Sequence, residues 1–384
     1  MHFQFTEEHK MIVQAARDFA RQQCLPGVIE RDEHQKFPRE QVMQLAELGF
    51  MGLMVDPAYG GAGMDTISYV LAMEEISKID ASVSVCMSVN NSLVCWGLEA
   101  YGNEEQKQKY LVPLAQGRKD GDLYIGAFLL SEPEAGSDAT SQRTTAEDKG
   151  DHYVLNGTKN WITNGNSASV YLVMAQTDPT KGSKGITTFI VEKNWPGVTV
   201  GAKENKMGIR ASDTHSILFN DVKVPKENII GEVGFGFTFA MKTLAGGRIG
   251  IAAQALGIAS GAYELALEYS KQRKAFGKEI MNHQAIQFKL ADMATRIEAA
   301  RLLCLKSAWE KDNGIDYTLS SSMAKVFASE AAMWVSTEAV QVYGGYGYVK
   351  EYHVERLMRD AKITQIYEGT SEVQRIVIGR QILK

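Results

Sequence analysis

Val170-Tyr171-Leu172-Val173-Met174-Ala175 and Ile186-Thr187-Thr188-Phe189-Ile190-Val191 are two short runs dense in β-branched and aromatic residues. Such runs, bounded by turn formers, predict strands. The interval between them holds Asp178, Gly182 and Gly185 and shows no helical period. Strands joined without an intervening helix predict an antiparallel sheet and argue against alternating β-α-β units, hence against a Rossmann fold.

Outward from this pair, Tyr124 to Leu130 and Ser216 to Phe219 have the same character, so the β region spans about Asp120 to Pro225. Before it, Ile12, Ala16, Phe19 and Ala20 recur at helical spacing, and Thr6 with Glu7 and Glu8 suits a helix start. Tyr59-Gly60-Gly61-Ala62-Gly63 predicts a loop, and Leu98 to Lys109 another surface helix. After the β region, Ile286, Leu290, Met293, Ile297 and Ala300 trace one face of a long helix, which predicts a helical bundle. The expected fold class is α+β, mainly α, divided into a helical unit at 1–118, a β unit at 119–226 and a second helical unit at 227–384.

The composition, 45% hydrophobic and 23% charged over 384 residues, is that of a soluble globular chain. A net charge of -5 with interspersed signs offers no basic stripe for nucleic acid and no polybasic membrane anchor. The four cysteines are scattered, which predicts neither a disulfide framework nor a zinc site. Met1 to Phe5 lacks the features of a signal peptide, so a cytoplasmic location is expected. The most lipid-like run, Ile249 to Ala262, is shorter than the roughly 20 residues a membrane span needs and predicts a buried helix.

No G-x-x-x-x-G-K-[ST] loop occurs, and Gly344-Gly345-Tyr346-Gly347 completes no dinucleotide fingerprint. H-E-x-x-H and G-x-S-x-G are absent too, which lowers metalloprotease and esterase readings. Ile366 to Glu372 places Glu368 beside Gly369 between helical stretches, where a carboxylate can project into a cleft. By itself this describes an ordinary surface acid.

Six ordered segments change that reading. They are Leu130 to Asp138, Asn156 to Gly165, Gly247-Arg248-Ile249, Gln272 to Gly277, Gln341 to Gly347 and Ile366 to Glu372. Together they resemble the acyl-CoA dehydrogenase family over essentially the whole chain. The resemblance implies a helical domain, a β domain and a C-terminal four-helix bundle. It implies FAD as cofactor, an acyl-CoA substrate, an electron-transferring flavoprotein as partner, and a homotetramer built as a dimer of dimers, with no nucleic acid and no membrane insertion.

By the same resemblance Glu368 is the catalytic base that takes the α-proton of the thioester, while the β-hydrogen leaves as hydride to flavin N5. A thioester α-carbon is a poor acid, so its base needs a dry site that raises its pKa above about 4.3. The Glu368 backbone N–H, beside Gly369, is the expected partner of the thioester carbonyl. Phe128, Leu130, Ser131, Trp161 and Thr163 match the flavin wall, although Trp161 by itself equally suits core packing. Arg273 and Phe276 match a pair reaching FAD from a neighbouring subunit. His283, Gln284, Gln341, Gly344, Gly345, Thr370 and Glu372 complete the cofactor set. Ser137, Arg248 and Arg380 match substrate contacts, although Arg248 equally suits a structural ion pair.

Two departures stand out. Ala245 replaces an acid that relatives place against the CoA arm, and Arg118 to Tyr124 is longer and more charged than the usual turn, which predicts a local loop change. Relatives of the isovaleryl and long-chain branches take their base from the position occupied here by Gly247, which has no carboxylate. Met87 to Leu93 resembles the short-chain branch, so a butyryl-like thioester is expected; medium-chain or short-branched substrates, an oxidase and a non-catalytic flavin scaffold are the alternatives.

Overall fold

The structure, a computed structural model, describes residues 4–384. Met1 to Phe3, at the start of the expected helix-entry segment, lie outside the described residues. Helix α1 (Glu7–Phe19) begins at Thr6, whose hydroxyl accepts from the His9 N–H, and its first turn carries Glu7 and Glu8. This is the favourable charge and cap arrangement for a helix N-terminus. Helix α2 (Thr66–Ser77) is buried almost throughout, and α3 (Ala81–Tyr101) follows it.

Helix α3 widens into π geometry over Val89–Cys95, where its side chains satisfy remote backbone groups. Asn90 Nδ2 donates to the carbonyls of Met51 and Leu114, and its Oδ1 accepts from the Gly126 N–H. Asn91 Nδ2 donates to Phe50 O, and its Oδ1 accepts from the Leu53 N–H. These bonds pin the N-terminal helices to the first strand of the sheet. The surface helix expected over Leu98 to Lys109 is broken: α3 stops at Tyr101, Gly102 is extended, and Asn103 caps a new turn. Arg118 to Tyr124, where a loop change was expected, forms a two-residue-per-strand hairpin with Asp120 and Gly121 at positive φ.

The sheet comprises β1 (Gly126–Leu129), β2 (Thr145–Asp148), β3 (His152–Thr163), β4 (Val170–Gln176), β5 (Ile186–Glu192), β6 (Val198–Lys203), β7 (Thr214–Pro225) and β8 (Ile229–Ile230). Its order is β8-β5-β4-β2-β3-β7-β6, with β1 also paired to β4. The opening pair, β4 and β5, is antiparallel as its sequence predicts, from Val170↔Glu192 to Gln176↔Ile186. The sheet is not purely antiparallel: β1 runs parallel to β4, and β2 meets β4 in parallel at Thr145↔Gln176. Between β1 and β4 the chain makes the long excursion through β2 and β3, which is the crossover that parallel neighbours require.

The C-terminal unit packs α4 (Gly236–Gln272), α5 (Gln284–Asp312) and α6 (Thr318–Tyr343) with the shorter α7 (His353–Ile363) and α8 (Ser371–Ile382). The bundle is thus three long helices closed by two short ones. Ile249 to Ala262 is buried inside α4, enclosed by protein. Helices α3 and α4 have the length and hydropathy of a span, yet both are covered by the rest of the chain.

Candidate active site

Helix α7 ends at Ile363, and the chain turns through Thr364 to Thr370 before Thr370 caps α8 by accepting from the Val373 N–H. Glu368 sits in this turn at φ 52. A non-glycine residue there costs on the order of 1–3 kcal/mol and persists where its surroundings over-determine it. Here they do. Gln374 Nε2 donates to the carbonyls of Glu368 (3.2 Å) and Gly369 (3.0 Å), and the Ser371 N–H donates to Gln365 O. Lys325 Nζ donates to Gly369 O at 2.6 Å. The Glu368 N–H has no acceptor among the described residues.

The Glu368 side chain points at α4. A Cβ placed on Gly247 would lie 2.1 Å from Glu368 Oε2 and 2.8 Å from Leu93 Cδ2, so only glycine leaves room for the carboxylate. A side chain at position 247 and the Glu368 carboxylate would therefore compete for one point in space. Oε2 is sealed from solvent and has no hydrogen-bond partner. Burial pushes the carboxyl up to about 7, against the opposing pull of Lys325 and Arg248. Buried Tyr69, whose hydroxyl bonds Ser88 Oγ at 2.9 Å, and Tyr367, bonded to Gln254, enclose the same region.

Arg248 follows Gly247 on α4 and is buried; its Nη1 donates to Ser322 Oγ at 3.3 Å while Nε is unpartnered. It forms no ion pair among the described residues, so the structural-pair alternative fails. A cavity bounded by Trp96, Tyr101, Ala245, Asp316 and Tyr317 opens from the surface to Arg248. Ala245 lies in its wall, with no carboxylate at that position.

The residues expected to line a flavin lie at the end of β3 and along and just after β1. The register of β3 against β7 slips between Lys159 and Ile162, and in this bulge Trp161 adopts φ 61. A bulge re-aims side chains, and Trp161 is turned outward with 58% exposure instead of entering a core. Thr163 pairs with Thr214, Phe128 stacks on Phe239 at 6.3 Å, Leu130 is buried, and Ser131 O accepts from the Asn160 N–H. Lys159, fully buried, donates to Leu130 O, Glu132 Oε1 and Gln142 Oε1 and so fixes the adjoining chain.

A second cluster lies elsewhere. The hairpin pairing Lys274↔Glu279 and Ala275↔Lys278 turns through Phe276 and Gly277, both at positive φ, as a tight two-residue hairpin demands. Phe276 is 96% exposed at its tip. Arg273 lies over the Tyr346 ring, His283 Nε2 meets Ala275 O at 3.1 Å, and exposed Gln284 starts α5. Gly344 and Gly345 line a groove with Arg273, and exposed Gln341 precedes them. The Thr370 hydroxyl accepts the cap bond from the Val373 N–H, while Glu372 is exposed in the first turn of α8. Ser137 is exposed in the loop after β1, and Arg380 in the last turn of α8, more than two turns from Glu368. One chain therefore unites Glu368, Gly369 and Arg248 but leaves Ser137, Arg380 and the hairpin cluster apart from them. Lys325, Ser322 and Gln374 were not anticipated. For Lys325 a signal existed: it falls on the apolar stripe of α6 with Ser321, Ala324 and Ala328.

Family models described as the N-terminal, middle and C-terminal domains of acyl-CoA dehydrogenase match residues 6–118, 127–222 and 234–383. The chain is 50% identical over 384 residues to "Acyl-CoA dehydrogenase, short-chain specific" of Clostridium acetobutylicum, covering 100% of both. Butyryl-CoA dehydrogenase from Megasphaera elsdenii superposes with a TM-score of 0.97 at 50% identity, covering 100% of each chain. A chain of a structure described as the electron transferring flavoprotein of Acidaminococcus fermentans superposes with a TM-score of 0.98 at 50% identity, again covering 100% of each. The chain belongs to the acyl-CoA dehydrogenase family.

Proposed function

We propose that the protein oxidises short-chain acyl-CoA, of the butyryl-CoA class, to the trans-2-enoyl-CoA and passes the electrons to an electron-transferring flavoprotein. The observation that carries this is the sealed, unpartnered Oε2 of the Glu368 carboxyl, with its raised proton affinity, at the one point where Gly247 leaves space. Full-length similarity to short-chain relatives supports the substrate class.

The residues fit FAD: an indole turned outward at a bulge beside Thr163, and the Arg273 guanidinium next to a glycine-lined groove, suit a flavin ring and its diphosphate. Bound FAD supplies the acceptor for the substrate's β-hydride. Glu368 takes the α-proton onto its carboxylate, and its unpaired backbone N–H stands ready to polarise the thioester carbonyl. Arg248 lines the entrance cavity. Phe128, Leu130, Ser131, Trp161 and Thr163 form the flavin wall; Arg273, Phe276, His283, Gln284, Gln341, Gly344, Gly345, Thr370 and Glu372 serve the remainder of the cofactor, and Ser137, Gly369 and Arg380 the substrate. The exposure of Phe276 supports a role for the hairpin at a neighbouring subunit within a dimer-of-dimers tetramer. Domain boundaries at 118/119 and 226/227 and a cytoplasmic location without membrane insertion belong to the same proposal.

Adding butyryl-CoA anaerobically to the yellow holoenzyme is expected to bleach the flavin, with chains of medium length less effective in the same assay. Absence of bleaching by every thioester in the series defeats the dehydrogenase reading in favour of a scaffold. Rapid peroxide formation in air, without a flavoprotein partner, favours an oxidase.

A pH dependence follows with a definite sign. The base works as carboxylate and its folded-state pKa is raised to about 7, so flavin reduction is slow in acid and rises with pH through about 7 to a plateau. Stopped-flow reduction from about pH 5.5 to 9 measures this, and a flat profile contradicts it.

A further inference from the structure

We propose that Lys325 is a positioning residue for the base: its ammonium anchors the Glu368–Gly369 turn and supplies positive charge that favours ionisation of the buried carboxyl. The inference rests on Glu368 being the base.

Lys325 is fully buried on α6, and its Nζ donates to Gly369 O at 2.6 Å. No carboxylate forms an ion pair with it among the described residues, although burying an ammonium in that way is costly. The hydrogen bond alone does not explain that cost, because the neutral Gln374 amide already donates to the same carbonyl at 3.0 Å. The charge itself remains to be accounted for; the carbonyl it binds belongs to the residue next to Glu368, and Glu368 is the acid whose field acts on it most strongly. Three residues earlier, one helical turn away, Ser322 accepts from Arg248. One face of α6 thus supplies Lys325 and a partner for Arg248, the two cations whose fields reach Glu368.

The groups acting on Glu368 come from every packed element: Arg248 from α4, Lys325 from α6, Tyr69 from α2 and Tyr367 in the turn itself. Glu372 in α8 competes for the field of Lys325. Burial lowers the Lys325 proton affinity to about 8, which leaves it charged at neutral pH. Lys325 is the larger of the two effects opposing the desolvation of Glu368. Without it desolvation acts less opposed, and the carboxyl ionises only at higher pH.

Three substitutions in the holoenzyme separate charge from anchoring. Lys325→Gln keeps an N–H donor and loses the charge, Lys325→Met loses both, and Lys325→Arg keeps the charge. The carboxyl stretch of Glu368 is titrated by infrared difference spectroscopy with Glu368→Gln as the blank, alongside the pH profile of flavin reduction. Lys325→Gln is expected to move both midpoints alkaline by about one unit. Reduction at pH 7 then slows about fivefold, recovers above about pH 9, and KM stays nearly unchanged, while Lys325→Arg keeps the parental midpoint. Unshifted midpoints in Lys325→Gln, or an equal fall at every pH, overturn the inference and leave Lys325 as scaffolding. Should Lys325→Met not fold, the Gln and Arg variants decide. Near-parental reduction by Glu368→Gln refutes the base assignment itself, a separate result.

Discussion

Glu368→Gln is expected to retain the fold and the flavin while reducing the rate of flavin reduction by butyryl-CoA about 100- to 10,000-fold or more. The amide is nearly isosteric with the acid, so the contact with Gly247 and Leu93 is preserved, and Oε2 has no donor that an amide would offend. What is lost is the capacity to hold a proton. Stability moves the other way. A folded-state pKa raised above the ordinary value means that proton binding favours the folded protein, a contribution complete below the unfolded pKa and lost as pH rises through about 7. Above that pH the parent carries a buried carboxylate that the amide avoids, so Glu368→Gln is expected to melt no lower, and at pH 8 higher, than the parent. Lost turnover combined with undiminished Tm is the signature of a group kept for chemistry at the expense of stability. Bleaching within a few-fold of parental would sink the assignment.

How much of this was legible depends on how far each feature reaches along the chain. The pairing of β4 with β5 was readable because nine intervening residues without helical period leave few alternatives. The parallel pairing of β1 with β4 was not, because it is decided across the β2–β3 excursion. The π stretch at Val89–Cys95 and the break at Gly102 were hidden for the same reason: Asn90 and Asn91 bond to carbonyls about 40 residues away, and no local period records that. At the site, Glu368 was indistinguishable from a surface acid by local sequence and emerged through ordered resemblance. The structure adds the physical ground, a sealed oxygen facing the only residue small enough to admit it. Trp161 shows the converse, since an indole in a strand pattern suits a core and only the bulge turns it outward.

The second large effect concerns the scaffold behind that indole. Lys159→Met is expected to destabilise the sheet by about 3–5 kcal/mol, because it leaves a buried carboxylate without its counter-charge. Lys159 is 0% and Glu132 6% exposed at the side chain, with Nζ and Oε1 2.8 Å apart. Burial lowers the lysine to about 8 and also opposes ionisation of Glu132, yet Lys159 and the Arg143 N–H hold Glu132 below the usual carboxylate range. Both groups are therefore charged at neutral pH. Methionine fills much of the same volume but abandons Glu132, Gln142 and the Leu130 carbonyl together. Because Leu130 and Ser131 adjoin the Trp161 bulge, flavin retention is expected to weaken along with Tm. Adding Glu132→Gln to Lys159→Met removes the stranded charge but leaves a single amide oxygen for two N–H groups, since Arg143 donates to Oε2 and Thr144 to Oε1, so the double variant is expected to recover part of the loss. Thermal melts and bound-flavin absorbance of the two variants measure this. A single variant melting within about a degree of the parent, or a double variant no better than the single, shows that the pair contributes little beyond its volume.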